Sequence, residues 1–326
     1  MAGKMSRRNF VKDSLIASAG VAGALGATAA GAAEKTNDKP GDKPEMTLED
    51  VAKQPMPRGK IADLELSRLM LGGNLISGYS HSRELTYVSA LMRHYNTDEK
   101  ILETLRIAEE NGVDSINTAV WDDLSVLQQH LREGSKMKWF IAANPDRNGN
   151  LDQVKKAVEN GADAIYIQGQ AADKLVAEGL IDLIGQEVEF IHSYNLPAGV
   201  AGHSLDTIIA CEKAGINPDF YQKTLHTHDY FTAPKPPVTE DMGKEDNFWC
   251  KDPQAVIDYM AAIKIPWVAF KVMAAGAIPP IKGFQHAVNG GADFVLAGMF
   301  DWQIVEDVRY FKIAMAKAQR TRPWFS

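Results

Sequence analysis

The stretch TLHTHDYF, Thr224 to Phe231, places two of the chain's eight histidines on either side of one threonine. If a strand runs through it, residues 222, 224, 226 and 228 share one face, so His226 and His228 point the same way. Three chemistries fit that pair. With His203 as a third nitrogen, and Asp229 or Asp301 completing or orienting the set, it would hold one divalent ion such as zinc, manganese or iron. Without a metal the imidazoles would move protons or hold a substrate, or they are ordinary turn residues. A second reactive group stands in WVAFKVM. Alternation sets Trp267, Ala269, Lys271 and Met273 against Val268, Phe270 and Val272, and the latter face suits packing on outer helices, which would send Lys271 inward. An amine so placed loses solvation and serves as a base, an imine-forming nucleophile or a substrate clamp. A snorkelling or salt-bridged lysine is the bland alternative.

The elements that must position these groups alternate along the chain. Short β-rich runs end at Asn74, Asn144, Gly169, His203, His226, Gly276 and Phe300, with one more, DSINTAV, around Asn117, and amphipathic stretches lie between them. Those stretches are Asp98 to Asn111, Leu151 to Glu159, Leu175 to Ile184, Leu205 to Ala214, Pro253 to Ile263, Ile281 to Asn289 and Trp302 to Ala318. ENGVDS, ENGADA, KAGINPD and NGGADF read as corners where glycine closes a helix and the aspartate begins the return strand. Eight β/α alternations in about 260 residues predict an α/β fold, a single (β/α)8 TIM barrel. A doubly wound sheet also alternates, but no G-x-G-x-x-G follows the first strand.

A barrel gathers reactive groups at the C-terminal ends of its strands. Those ends read Asn74, Asn117, Asn144 with Asp146, Gln168, His203, His226 with His228, Lys271 and Asp301. Leaving so many polar groups unpaired inside a fold costs about 1–3 kcal/mol each, so the rim reads as an active site. Lys271 and His203 are the expected catalytic pair. Asn74, Asn117, Asn144, Gln168 and Asp301 are expected to bind substrate, and His226, His228 and His203 to hold the metal. GNLISGYSHSREL, with Tyr79, His81 and Arg83, and residues 229–250, rich in aromatics and proline, are long enough to close over a ligand.

LMLGGN, SINTAVWDD and DAIYIQGQAAD together resemble the first half of the aldo/keto reductase barrel. The resemblance implies hydride transfer from NAD(P) by an Asp, a Tyr, a Lys and a His. The matching positions here hold Asn117, Trp121 nearby, Asn144 and Gln168, none of which titrates near neutral pH. GAIPPIKGF and LAGMF resemble the glycine ends that seat phosphate in many barrels.

The N-terminus carries a different kind of signal. SRRNFVK, Ser6 to Lys12, followed by LIASAGVAGALGATAAGAA and then a polar stretch, has the layout of an export signal cleaved near Ala32 or Ala33. It resembles the twin-arginine (Tat) pattern S-R-R-x-F-x-K, which implies passage through the Tat translocon and a periplasmic or extracellular protein. The run is too rich in Gly and Ala to make a stable membrane span. The expected organisation is a signal over 1–33, a flexible tether over 34–58 and the barrel over 59–326. Against 42 acidic residues the 35 Lys and Arg give a net charge of −7 and no basic stripe, which argues against nucleic acid as a partner. The two cysteines, Cys211 and Cys250, either pair or sit apart as a buried small side chain and a loop thiol.

These readings together anticipate an exported, non-redox enzyme, a lyase, isomerase or hydrolase, acting on a small polar, carbohydrate-derived substrate. An NAD(P)-dependent reductase and a non-catalytic ligand-binding barrel are the alternatives.

Overall fold

The computed structural model describes residues 47–82 and 84–325. The expected export signal, the part of the expected tether up to residue 46, Arg83 and Ser326 lie outside the described residues. Eight parallel strands close into a barrel: β3 (Leu69–Gly72), β4 (Ser115–Ala119), β5 (Lys138–Ala143), β6 (Ala164–Ile167), β7 (Ala198–Gly202), β8 (Phe220–Thr224), β9 (Trp267–Phe270) and β10 (Phe294–Ala297). The fold is the expected (β/α)8 barrel, not the doubly wound sheet, because β10 pairs in parallel with both β9 and β3 and so shuts the ring.

Two elements precede the ring. A helix, α1 (Leu48–Lys53), starts with a capping box between Thr47 and Asp50 and buries Val51. It occupies a stretch expected as tether. The hairpin of β1 (Arg58–Ile61) and β2 (Leu64–Ser67) sends Ile61 and Leu66 into the apolar cluster of the lumen, so the N-terminal mouth is plugged by chain lying before the first barrel strand. Both are too short for a periodicity reading to find.

The outer layer holds α2 (Val88–Tyr95), α3 (Asp98–Glu110), α4 (Ser125–Arg132), α5 (Asp152–Glu159), α6 (Gly169–Ala177), α7 (Ile181–His192), α8 (Leu205–Ala214), α9 (Pro253–Met260), α10 (Pro280–Asn289) and α11 (Asp301–Ala316). The single helix expected over 175–184 is two helices, broken at Gly179 with φ 74°. The corner aspartates take on a common task. Asp114 accepts from the amide of Ser67, Asp163 from Trp139, Asp219 from Ala198 and Asp293 from Trp267, at 2.8–3.0 Å. Each carboxylate thus pins the amide at or just before the start of the neighbouring barrel strand. The glycines ahead of three of them, Gly112, Gly161 and Gly291, have φ of 82°, 84° and 100°, a region that costs other residues strain.

The lumen is stacked in layers drawn from alternate strands, as barrel geometry requires. Met70, Phe140, Ala164, Phe220, Val268 and Phe294 form its apolar lower part, with Tyr166 and Leu296 packed above them. Trp267, Ala269, Ile116 and Tyr221 belong instead to the large core between strands and helices. The face assignment for WVAFKVM is therefore inverted. Val268 and Phe270 face the lumen. Both faces of a barrel strand are apolar and buried, so hydrophobicity alone does not distinguish them. Among the described residues no helix is long and apolar enough to cross a membrane.

Candidate active site

Lys271 sits at the C-terminal mouth, but strand alternation does not bring it there. The chain leaves β9 with Lys271 at φ 56°, followed by Ala274 at 46° and Ala275 at 54°. A left-handed conformation at a non-glycine residue costs of order 1 kcal/mol or more and marks sites where geometry is imposed. The turn swings the amine over the mouth, 3.0 Å from Nε2 of His81 and 3.8 Å above the Trp249 ring.

His81 and Trp249 come from the two long loops. Nε2 of His81 also lies 2.9 Å from the Asn74 amide nitrogen, and its Nδ1 faces Asp246 at 3.4 Å. With the Nδ1 proton turned to that carboxylate, Nε2 is the acceptor for Lys271 and Asn74. Burial lowers the His81 pKa, the Asp246 hydrogen bond opposes this, and the Lys271 charge lowers it further. The ring is neutral near pH 7. The Trp249 ring also meets His81 edge-on at 4.7 Å.

Across the mouth stands a second imidazole–carboxylate pair. Nδ1 of His203 lies 2.9 Å from Oδ2 of Asp173 on α6. The same carboxylate accepts from the His203 and Ser204 amides and from the Thr207 hydroxyl, so its position is over-determined. His203 is held with Nδ1 as donor, which leaves Nε2 as a lone-pair base. Burial lowers its pKa against the opposing hydrogen bond to Asp173, and the Lys271 charge adds to the lowering. Lys271 therefore stands electrostatically within reach of both imidazoles.

The paired histidines of TLHTHDYF do other work. Strand β8 stops at Thr224, and beyond it both ring nitrogens of His226 are spent on backbone: Nδ1 meets the Thr227 carbonyl at 2.9 Å and Nε2 accepts the Trp249 amide at 3.0 Å. His228 donates from Nε2 to the Cys250 carbonyl at 2.8 Å, and the Thr224 hydroxyl donates to the Trp249 carbonyl at 2.6 Å. The stretch is a clasp for residues 249–250, the returning end of the long loop. Burial pushes His226 down to about 4, so it stays neutral. Among the described residues no group of three or more His, Cys, Asp or Glu side chains is placed to hold a metal ion. The expected set of His203, His226 and His228 does not fit a zinc, manganese or iron centre, because both nitrogens of His226 and Nε2 of His228 are taken by backbone groups.

The remaining strand-end residues divide. Asn117 is in the lumen. Asn144 accepts the Gln168 amide on its side chain at 2.9 Å and ties its own amide to Gln153, and Gln168 is the N-cap of α6, so both serve the turn. Asp301 holds the Tyr95 hydroxyl at 2.6 Å and Lys100 at 3.2 Å, linking α2 and α3 to α11. Asp146 caps its own loop through the amides of Asn148 and Asn150. Asp229 is exposed. Lys223, the strand neighbour of Gln222, is fully buried; burial lowers its pKa and its amine donates to the carbonyls of His203 and Thr224 and to the Thr224 hydroxyl. Cys211 and Cys250 are both buried and unbonded to each other.

Sequence reasoning missed Asp173, Asp246 and Trp249. An aspartate four residues into a helix and a loop aspartate carry no local signature, and only the closed ring sets them beside histidines. Asp122 was also missed: it accepts the Ala119 amide at 3.0 Å, and burial raises its carboxyl against that bond and one from Ser77.

No family model matches the chain, and no curated protein does. Solved structures match in fold. A protein from Pseudomonas aeruginosa classed as an aldo-keto reductase is 15% identical, with a TM-score of 0.56 over 82% of this chain and 99% of its own. The aldo-keto reductase AKR11C1 from Bacillus halodurans, in its holo form, is 10% identical, with a TM-score of 0.53 over 83% and 98%. Identities this low carry the shared barrel and nothing finer. The resemblance expected from the first strands stands at that level.

Proposed function

We propose that the chain is an acid–base enzyme that withdraws a proton beside the carbonyl of a small polar, carbohydrate-derived substrate, an isomerase or a lyase rather than a redox enzyme. The observation that carries this reading is the Asp173–His203 pair facing Lys271 across one barrel mouth. His203, neutral and oriented, takes the proton on Nε2. Lys271, steadied by His81 and Trp249, meets the negative charge that develops on the carbonyl oxygen. Return of the proton to the neighbouring atom gives isomerisation; loss of a β-substituent gives elimination. A nicotinamide reading keeps the shared fold, but its tetrad positions hold Asn117, Trp121, Asn144 and Gln168.

Exchange in D2O tests the reading directly. Incubated with a panel of aldoses, ketoses and keto sugar acids and followed by NMR, the protein should introduce deuterium at the carbon next to the carbonyl of at least one of them. His203→Gln and Lys271→Met should each slow that exchange by about 10²-fold or more. Reduction of a carbonyl by NADPH with no exchange would sink the proposal in favour of the reductase.

We further propose export through the Tat route, on the strength of Ser6, Arg7, Arg8, Phe10 and Lys12. Replacing Arg7 and Arg8 together by Lys should leave the protein in the cytoplasm of a Tat-competent host; unchanged export would refute the route.

A further inference from the structure

Lys223 is a charge held wholly inside the protein. It lies on β8 opposite Gly202 of β7, is 0% exposed and, among the described residues, forms no ion pair. All three of its ammonium protons are used: on the His203 carbonyl at 2.6 Å, the Thr224 hydroxyl at 2.7 Å and the Thr224 carbonyl at 3.1 Å. A neutral amine has two protons and would leave one of these acceptors unmet. The hydrogen bonds therefore hold the charged form against the burial that lowers its pKa. Enclosing an ammonium costs several kcal/mol that a methionine in its place would not, so Lys223 is there for its bonds rather than for packing.

Those bonds join the two sides of the mouth. His203 is gripped at both backbone groups: its amide donates to Asp173 at 2.9 Å and its carbonyl accepts from Lys223. Trp249 is gripped in the same way, since its amide donates to Nε2 of His226 at 3.0 Å and its carbonyl accepts the Thr224 hydroxyl at 2.6 Å. The two carbonyl anchors, Lys223 and Thr224, are consecutive residues bonded to each other. The Thr224 hydroxyl gives its one proton to Trp249 and receives Lys223 on a lone pair. Three hydrogen bonds in series thus run from the His203 backbone, through ammonium and hydroxyl, to the Trp249 backbone.

We propose that Lys223 is a positioning residue for the mouth: through Thr224 it fixes the spacing between the His203 imidazole and the Trp249 ring that carries Lys271. It ties the returning end of the 229–250 loop to the end of β7, so that base and amine keep one registration. What that spacing is for rests on the proton-transfer reading; the coupling itself does not. The charge has a second effect. Burial chiefly lowers the His203 pKa and the Asp173 hydrogen bond opposes it, while Lys271 and then Lys223 lower it further. Asp173 on α6, Lys271 beyond β9, Lys223 on β8 and His81 from the first long loop are the titratable groups acting on that ring among the described residues.

The two ends of the chain of bonds are read separately in the full-length protein. With 5-fluorotryptophan incorporated, Trp249→Leu identifies the Trp249 resonance in 19F NMR, and His203→Gln identifies the His203 ring in 15N NMR. Lys223→Met changes neither side chain, yet should move the Trp249 resonance and raise the His203 pKa. In a Thr224→Val background, where the hydroxyl is already gone, Lys223→Met should move the Trp249 resonance no further. Thr224→Val alone should displace both signals and Thr224→Ser should restore both, a pair that decides the matter if Lys223→Met does not fold. Lys223→Met should also slow sugar-proton exchange about tenfold or more with KM nearly unchanged, and carry the acid limb of its pH profile upward. A Trp249 resonance unmoved by Lys223→Met, or moved equally in the Thr224→Val background, would overturn the coupling. So would an unchanged His203 pKa in Lys223→Met, or a Thr224→Val effect confined to Trp249. The expected displacements in a protein that exchanges no sugar proton would uphold the coupling and sink the proton-transfer reading instead.

Discussion

At the scale of single residues, chemistry follows from which nitrogen is already spent. His203 and His226 lie close in the fold and are both neutral, yet only His203 keeps a free Nε2; in His226 that nitrogen accepts the Trp249 amide. His226→Gln retains an acceptor and should keep the clasp, whereas His226→Leu strands a buried amide and should cost about 1–3 kcal/mol in thermal denaturation. The pH response has a definite sign. The folded pKa of His226, about 4, lies below its ordinary 6.5, so the unfolded chain binds the proton first, and stability falls as pH drops from 6.5 through 4. Glu187 runs the other way. It is fully buried with neither carboxyl oxygen paired, and burial pushes it up to about 8 from 4.5. The folded chain holds that proton longer, so stability falls as pH rises between those values. Glu187→Leu should raise stability at pH 7 by roughly 3 kcal/mol and flatten the slope; a loss would mean the carboxylate is paired.

At the scale of elements, the loop over residues 229–250 acts as part of the site. It delivers Asp246 to His81 and the Trp249 ring to Lys271, and its returning end is clasped by Thr224, His226 and His228. Trp249→Leu removes the ring face under the amine and the edge contact to His81, and should lower proton-exchange activity about tenfold or more while the barrel stays folded by circular dichroism. The other repeated device is the corner aspartate. Asp163→Ala frees the amide of Trp139 and removes the ion pair with Lys138, and should cost about 1–3 kcal/mol by denaturant titration. A neutral outcome would mean these corners are set by glycine alone.

At the scale of the whole molecule the two ends of the barrel divide the labour. The N-terminal end is closed by the β1–β2 hairpin and by a charged cluster in which buried Asp293 meets Arg320 at 3.3 Å and Arg322 at 2.5 Å. Arg322 also donates to the carbonyls of Met260, Gly291, Ile263 and Ile265, tying the C-terminal segment to the ends of three elements. Arg322→Met leaves those acceptors and a buried carboxylate short of a partner, and should cost about 3–5 kcal/mol, read as a fall in Tm with the proton-exchange chemistry intact at low temperature. The C-terminal end spends stability instead, on a left-handed lysine and buried lumen amides. Such an asymmetry is expected of a barrel whose reactions occur at one face.

The sequence by itself determined the architecture. Period-2 and period-3.6 runs alternate along the chain, and Gly-x-Asp corners recur at three of the points where a helix must turn back, so local propensity and the ring agree. It also marked Lys271, His203 and Asn117 as groups at the reactive end. Tertiary structure alone decided which partner each would have. Both faces of a barrel strand are buried, so alternation does not show which side is the lumen, and Lys271 reaches the mouth by a backbone turn that no periodicity encodes. Asp173 and His203 are 30 positions apart and His81 and Asp246 far more, and their pairing exists only once the ring is shut. His226 and His228 looked most like a site because they are close in sequence. In the fold, their nitrogens are taken up by the backbone they fasten.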